Sequence, residues 1–230
     1  MKNTVILLTI LLFFLPLSQG QNKEKNIKVD TLQLYFRTFD VLDMNNEKID
    51  TLQLYFPLGI IETPALTGSW RESWYSGNLY TMKEPVIYTD TSYNEIYRFT
   101  WLRSRDHPII IRIEKQDYKY MLYWKYFDWK YYDDVWHNPE KWIMIAKQKE
   151  LDEASWVEFH NLLHQIDFWN METNNRVWGF DGAQWILEGK TDSQYHVVDR
   201  WSPSRKNKYY QCCDFLIKST DLKIRNRDKY

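Results

Sequence analysis

The hydrophobic pattern of the chain begins with its longest apolar run. Residues 5–17 are almost entirely apolar, Lys2 precedes them, and Gly20 closes the short small-residue stretch that follows. This arrangement is typical of a cleaved secretory signal peptide. The run is also shorter than the roughly 20 residues that a membrane-spanning helix needs. We therefore predict a signal peptide over 1–20, a flexible polar start over 21–27, and export to the periplasm, the cell envelope or the extracellular space.

A strand-like alternation of apolar and polar residues then occurs twice. Residues 28–36 return at 48–56 with eight of nine identities, and Leu32, Leu34 and Phe36 occupy every second position of the first copy. Such alternation predicts a half-buried strand. The copies could pair as a long hairpin on the sheet, one copy could hold the only native position, or the duplication could have no role. We favour the hairpin, because an unpaired apolar strand invites aggregation.

Further strands are predicted where alternation or β-branched residues recur between turn residues. The segments are 95–102, 108–113, 118–129 and 142–146, followed later by 183–188 and 194–201. Short turns join the first three strands, so an antiparallel meander is expected. The polar turn at 189–193 predicts a late hairpin. Residues 62–85 predict a loop with a short helical or extended piece.

Two helices are predicted from apolar residues at helical spacing. Their buried stripes are Trp156, Phe159, Leu163 and Ile166 within 152–170, and Tyr209, Cys212, Cys213, Leu216 and Thr220 in the closing helix. Ser155 and Glu158 fit a capping box at the first helix, with Asp152 as the rival N-cap. Strands followed by helix, hairpin and helix predict a single α+β domain over 28–230, with an antiparallel sheet and both helices on one face.

Composition narrows the class of protein. Aromatic residues make up 17% of the chain, which supplies ample apolar surface for a folded core. The formal net charge is −1, and −2 once Lys2 leaves with the signal peptide, so we predict no nucleic-acid binding and no basic membrane patch. After the signal peptide, no apolar run predicts an integral membrane segment.

The two cysteines of the chain are adjacent, at Cys212 and Cys213. Neighbouring Cα atoms lie about 3.8 Å apart, which is below the usual range for a disulfide, so a bridge between them would be strained. Free cysteines are among the most often buried residues. We therefore expect two buried, reduced thiols.

The densest cluster of candidate catalytic residues lies on the late hairpin. With a turn centred near residue 192, Glu188 and His196 would be cross-strand neighbours on the face that carries Arg200, and Asp199 would point to the other face. A carboxylate beside an imidazole can act in general acid–base catalysis. An ordinary cross-strand charge pair explains the same residues.

A histidine pair is the second candidate. His160 and His164 are four residues apart on the first predicted helix, where one face could present both to a metal ion. However, Asn161 stands where a metalloprotease motif carries its glutamate, and no third ligand is evident. We predict no metal ion and no cofactor.

The third candidate is the aromatic run at 118–142, where eleven of 25 residues are aromatic. Residues 127–136 follow neither a strand nor a helix period, so their rings cannot all enter one core. A partly exposed aromatic surface is therefore expected. Its candidate binding residues are Trp129, Tyr131, Tyr132 and Trp136, together with Arg200 of the hairpin.

The late hairpin also carries a family-like motif. It reads DGAQWILEG at 181–189 and YHVVDRWSP at 195–203, and FWNM at 168–171 and MKEP at 82–85 accompany it. In these segments the chain resembles a family of exported bacterial proteins to which no activity is assigned. The resemblance covers roughly 72–223 and implies export, but it supplies no ligand and no catalytic residue.

Taken together, these patterns favour a non-catalytic exported or envelope protein that binds a protein or glycan partner through exposed aromatic residues. One alternative is a hydrolase that acts on carbohydrate or peptide with Glu188, His196 and Asp199. The other alternative is an inhibitor or immunity-type protein, whose role is to occupy another protein.

Overall fold

A computed structural model describes residues 38–42, 48–57, 59–61, 70–92, 94–104, 106–127, 144–175, 177, 179 and 181–230. The strands are β1 (Thr38–Leu42), β2 (Lys48–Gln53), β3 (Glu95–Arg103), β4 (Ile109–Gln116), β5 (Lys119–Phe127), β6 (Met144–Leu151), β7 (Ala183–Thr191) and β8 (Tyr195–Trp201). The α-helices are α1 (Trp70–Thr81), α2 (Glu153–Gln165) and α3 (Lys208–Lys218). Among these residues no helix is long and apolar enough to cross a membrane.

Six of the strands form one antiparallel sheet in the order β6-β5-β4-β3-β7-β8. The strands β3 to β5 are the predicted meander, and β7 with β8 is the predicted late hairpin. The strand predicted at 142–146 is β6, which pairs with β5 and extends to Leu151. The hairpin joins the meander through pairing of β3 with β7, in which Tyr97 lies opposite Gly189. The predicted α+β class with an antiparallel sheet is therefore confirmed.

Both faces of the sheet are covered. The helices α2 and α3 pack on one face, here called the α2–α3 face, over a core that includes Phe99, Trp101 and Trp185. The helix α1 packs on the opposite face, the α1 face, where Tyr75 and Leu79 meet the other side of the strands. The two predicted helices do share a face. The sequence predicted a short helical or extended piece within 62–85, and the structure shows that it is the helix α1.

The second copy of the duplicated segment supplies β2. It pairs with β1, which lies between the two copies, so that Thr38 faces Gln53. These two strands form a two-stranded sheet separate from the six-stranded sheet. The first copy, 28–36, lies outside the described residues, so pairing between the copies stays a prediction.

Asp152 is the N-cap of α2, and Ser155 is not. The Asp152 carboxylate accepts a hydrogen bond from the Ser155 backbone N–H at 2.7 Å, which satisfies a donor that the first turn would leave open. The helix ends at Gln165, before the predicted end, because Asp167 adopts a left-handed conformation with φ of 53°. A short 3-10 turn, Phe168–Asn170, follows.

The last residues of the chain pack against the α2–α3 face. The backbone carbonyl of Tyr230 accepts hydrogen bonds from the indole N–H groups of Trp185 at 2.9 Å and Trp101 at 3.3 Å. The buried Lys229 ammonium pairs with Asp214 of α3. The indole N–H groups of Trp185 and Trp101 thus both have a hydrogen-bond acceptor, without which burying them would cost free energy.

The thiols of Cys212 and Cys213 are both buried on α3. Burial raises the pKa of Cys212 to about 12, so the unreactive thiol form dominates at neutral pH. We expect iodoacetamide at pH 8 to label neither cysteine in the native protein and both in urea without reductant. Mass spectrometry of the intact protein checks this. An unlabelled denatured protein lighter by two hydrogens would instead reveal a bridge between the neighbouring cysteines.

Candidate functional site

The register of the late hairpin separates the three predicted catalytic residues. Glu188 lies opposite Val197, and His196 lies opposite Gly189, one position away from the predicted pairing. A shift of one residue moves side chains to the other face. Consequently Glu188 and Asp199 share the α1 face, whereas His196 and Arg200 lie on the α2–α3 face. The expected Glu188–His196 pair is therefore wrong.

Glu188 is part of a buried ion pair. Its Oε2 accepts from Arg98 Nε at 2.7 Å and lies 2.6 Å from Arg98 Nη2, while its Oε1 accepts from the Tyr195 hydroxyl at 2.8 Å. Burial raises the pKa of Glu188, and Arg98 and the Tyr195 hydrogen bond oppose that rise. Each carboxylate oxygen already has a partner in the core, so the geometry gives Glu188 a structural role.

A second carboxylate extends this network. Glu84 follows α1 and lies 2.7 Å from the Lys125 ammonium, 3.1 Å from Arg112 Nε and 4.0 Å from Arg98 Nη1. These three cations come from β5, β4 and β3, so a single side chain joins the end of α1 to three strands. Arg98 also donates to the Pro85 carbonyl at 2.6 Å. The network fixes α1 on the sheet.

Asp199 is buried under α1. Its Oδ2 accepts from the Tyr75 hydroxyl at 2.8 Å, and its backbone N–H donates to the Thr173 carbonyl. Burial raises the pKa of Asp199 from 3.8 to about 6. Arg200 donates to the carbonyls of Thr173 and Glu172 at 3.0 and 2.7 Å. Both residues therefore hold the segment before β7 against β8.

His196 lies on the other face, among aromatic rings. Its ring centre is 5.2 Å from that of Phe168 and 6.5 Å from that of Trp169. Burial lowers the pKa of His196 from 6.5 to about 4, so the imidazole is neutral at pH 7. His196 is thus a core residue that supports the turn after α2.

Asp199 and His196 are expected to change stability in opposite directions between pH 4 and 6. The folded protein holds the Asp199 proton more tightly than the unfolded chain, so this contribution falls as pH rises. It holds the His196 proton less tightly, so that contribution rises. The measured quantity is the unfolding free energy at pH 6 minus that at pH 4. Asp199→Asn should make this difference roughly 2–3 kcal/mol more positive than in the wild type, and His196→Gln should make it more negative by a similar amount.

Urea denaturation at closely spaced pH values measures both effects. The wild-type profile is the reference, because every other titrating group is common to the three proteins. Profiles of the two variants that run parallel to that of the wild type would contradict the expected titrations.

The predicted aromatic binding residues Trp129, Tyr131, Tyr132 and Trp136 lie outside the described residues. Phe127 is described and buried, whereas a partly exposed aromatic surface over 128–136 stays a prediction.

The described structure holds a pocket between β3 and α2, with a volume of about 250 Å³. Its described lining residues are Glu95, Tyr97, His160, Leu163, His164, Asp167, Phe168 and Trp169. Three elements place them: β3 supplies the first two, α2 the next three, and the turn after α2 the last three. The left-handed Asp167 lets the chain reverse there, so that Phe168 enters the core and Trp169 stays half-buried at the rim.

The polar centre of the pocket is formed by Glu95, His160 and Tyr97. Glu95 Oε1 accepts from the Tyr97 hydroxyl at 2.5 Å and lies 3.1 Å from His160 Nε2. Burial alone would raise the pKa of Glu95, but the contacts with His160 and Tyr97 outweigh it and lower the pKa. Glu95 is therefore an ionised carboxylate at neutral pH, held in a fixed orientation.

Aromatic rings surround this carboxylate. The ring centres of Tyr97, Phe168 and Trp169 lie 5.0 to 6.1 Å from one another, with interplanar angles of 53° to 70°. The His160 ring stands at 88° to that of Tyr97. Three rings that are inclined to one another form a corner rather than a stack. The pocket thus combines an apolar aromatic corner with one fixed charge.

The two histidines have different surroundings. His160 contacts Glu95, and His164 is exposed one turn further along α2. Within the described part of the chain, no group of three or more His, Cys, Asp or Glu side chains is arranged to hold a metal ion. The sequence pointed to His160, but its partner Glu95 lies 65 positions earlier, where only strand alternation was visible.

Comparisons of the chain with protein families, with curated proteins and with solved structures found no match.

Proposed function

We propose that the protein is an exported, non-catalytic binding protein and that its ligand occupies the pocket between β3 and α2. The observation that carries this proposal is the fixed Glu95 carboxylate within an aromatic corner. Concave, mostly apolar sites with a few oriented polar groups are the usual form of small-ligand sites. The ligand is either a free small molecule or the terminal group of a protein or glycan partner.

Binding is favoured over catalysis by the chemistry of the lining. The described lining residues include no serine, threonine, cysteine or lysine nucleophile, and the Glu95 carboxylate, which could act as one, is held by Tyr97 and His160. The Tyr97 hydroxyl already donates to Glu95. The alternative hydrolase is less favoured, because Glu188 pairs with Arg98 and lies on the opposite face of the sheet from His196.

Export and aromatic recognition complete the proposal. The N-terminal apolar run supports a signal peptide, and Trp169 at the rim supports recognition through a partly exposed ring. The aromatic segment at 127–136 would offer a second contact surface for a larger partner.

Ligand-observed NMR with a set of small polar ring compounds tests the proposal. Compounds that bind the mature protein should lose their signal with Trp169→Ala and with His164→Ala, an exposed position where substitution leaves the core intact. Tyr118→Ala is the matched control, because Tyr118 is an aromatic residue with 97% exposure in the turn between β4 and β5. The absence of any binding compound, or equal loss with the control, would refute the proposal.

A further inference from the structure

We propose that the pocket between β3 and α2 recognises a small primary ammonium group, which Glu95 binds inside the aromatic corner. This inference rests on the proposed function and names the chemical class of its ligand.

The charges of the lining favour a cation. The two carboxylates are Glu95 and Asp167, and the described lining residues include no lysine or arginine. Lys115 of β4 lies opposite Glu95 and its charge lowers the pKa of Glu95, but Lys115 does not line the pocket and its ammonium lies 6.0 Å from the centre of the Tyr120 ring. An ionised carboxylate that is partly shielded from water attracts a cation more strongly than one in open solvent.

The hydrogen bonds of Glu95 favour a donor. Its Oε1 is engaged by Tyr97 and His160, whereas its Oε2 has no hydrogen-bond partner within the part of the chain that the structure describes. A carboxylate oxygen only accepts hydrogen bonds, so a matching ligand must donate. An ammonium group supplies both the donor and the positive charge, and such charge-assisted bonds are about twice as strong as neutral ones.

The aromatic corner favours the same class. Ammonium groups are attracted to the faces of aromatic rings, most strongly to tryptophan and tyrosine. Trp169 and Tyr97 are inclined to each other at 53°, with centres 6.1 Å apart. At about 250 Å³ the cavity is just below the usual range for drug-sized ligands, so it suits a short alkylammonium.

Three branched probes of similar size and different charge provide the test: isobutylammonium, isobutanol and isobutyrate. Each is titrated into the full protein at low salt, and dissociation constants are taken from ligand-observed NMR. We expect isobutylammonium to bind most tightly. Glu95→Gln should weaken its binding by about tenfold and leave isobutanol unaffected. Glu150→Gln, an exposed carboxylate on β6, is the control and should leave all three unchanged.

The outcomes separate this inference from the proposed function. If isobutanol binds as tightly as isobutylammonium and Trp169→Ala abolishes both, the pocket is a binding site but the ammonium inference fails. An unchanged isobutylammonium affinity in folded Glu95→Gln also overturns it. If none of the probes and no other small compound binds, both proposals fail. Thermal melting of each variant confirms that it is folded.

Discussion

Replacing Arg98 by Met is expected to destabilise the protein by about 3–5 kcal/mol, because the change leaves Glu188 as a buried charge without its cation. Arg98 is fully buried and donates to Glu188 and to the Pro85 carbonyl after α1. Its loss also removes one of the three cations around Glu84. Urea denaturation, followed by tryptophan fluorescence, measures the change in unfolding free energy.

A double variant and a surface control test whether the loss comes from the buried charge of Glu188. Adding Glu188→Leu to Arg98→Met should recover much of the lost stability, since buried ion pairs can often be replaced by apolar residues of similar volume. Arg225→Met removes an exposed ion pair with Asp228 and should cost at most about 1 kcal/mol. If Arg98→Met were no more costly than Arg225→Met, the buried network would not be what holds α1 to the sheet.

Trp185→Ala is expected to cost about 3–5 kcal/mol as well, because it empties a fully buried site on the α2–α3 face. The indole lies 4.7 Å from Tyr210 in a stacked arrangement and 5.1 Å from Trp101, centre to centre. Its N–H also donates to the Tyr230 carbonyl at 2.9 Å. Truncation therefore removes the ring contacts with Tyr210 of α3 and Trp101 of β3, together with one hydrogen bond.

Trp185→Phe separates these contributions. Phenylalanine keeps most of the ring packing but cannot donate, so the smaller loss should include about 1 kcal/mol for the hydrogen bond to Tyr230. Trp74→Ala, at a tryptophan with 37% exposure on α1, serves as the surface control and should cost clearly less than Trp185→Ala. Equal losses at Trp74 and Trp185 would contradict the central position of Trp185 in the core.

Much of the sheet could be predicted because its strands alternate clearly. The hairpin register could not, and Gly189 explains why. In the sequence this glycine resembles a turn residue, yet it lies within β7, where a Cβ atom would come within 2.7 Å of both Tyr97 and Phe168. The turn consists only of the two residues after Thr191. The Thr191 backbone N–H donates to the Gln194 carbonyl at 2.9 Å across this turn. A glycine required for ring packing was therefore mistaken for one required for a turn.

The buried network of Arg98, Arg112, Glu84 and Glu188 could not be predicted from the sequence either. Arg98 and Arg112 occupy alternate strand positions that are typical of a solvated face. In the fold these positions lie beneath α1, and the residues that neutralise them, Glu84 and Glu188, come from distant parts of the chain. Pairing across such separations has no local signature. For the same reason Glu95 could not be matched to His160 before the fold was known.

The insertion of β7 between β3 and β8 has a consequence for the time course of folding. Arg98 meets Glu188 across a separation of 90 positions, so the centre of the sheet cannot close until β7 has emerged. Until then β3 is the open edge of the meander, paired with β4 on one side only. Pairing of strands that are far apart in the sequence slows folding and prolongs the lifetime of aggregation-prone intermediates. A nascent chain of this protein would thus leave one side of β3 unpaired until its late hairpin is made.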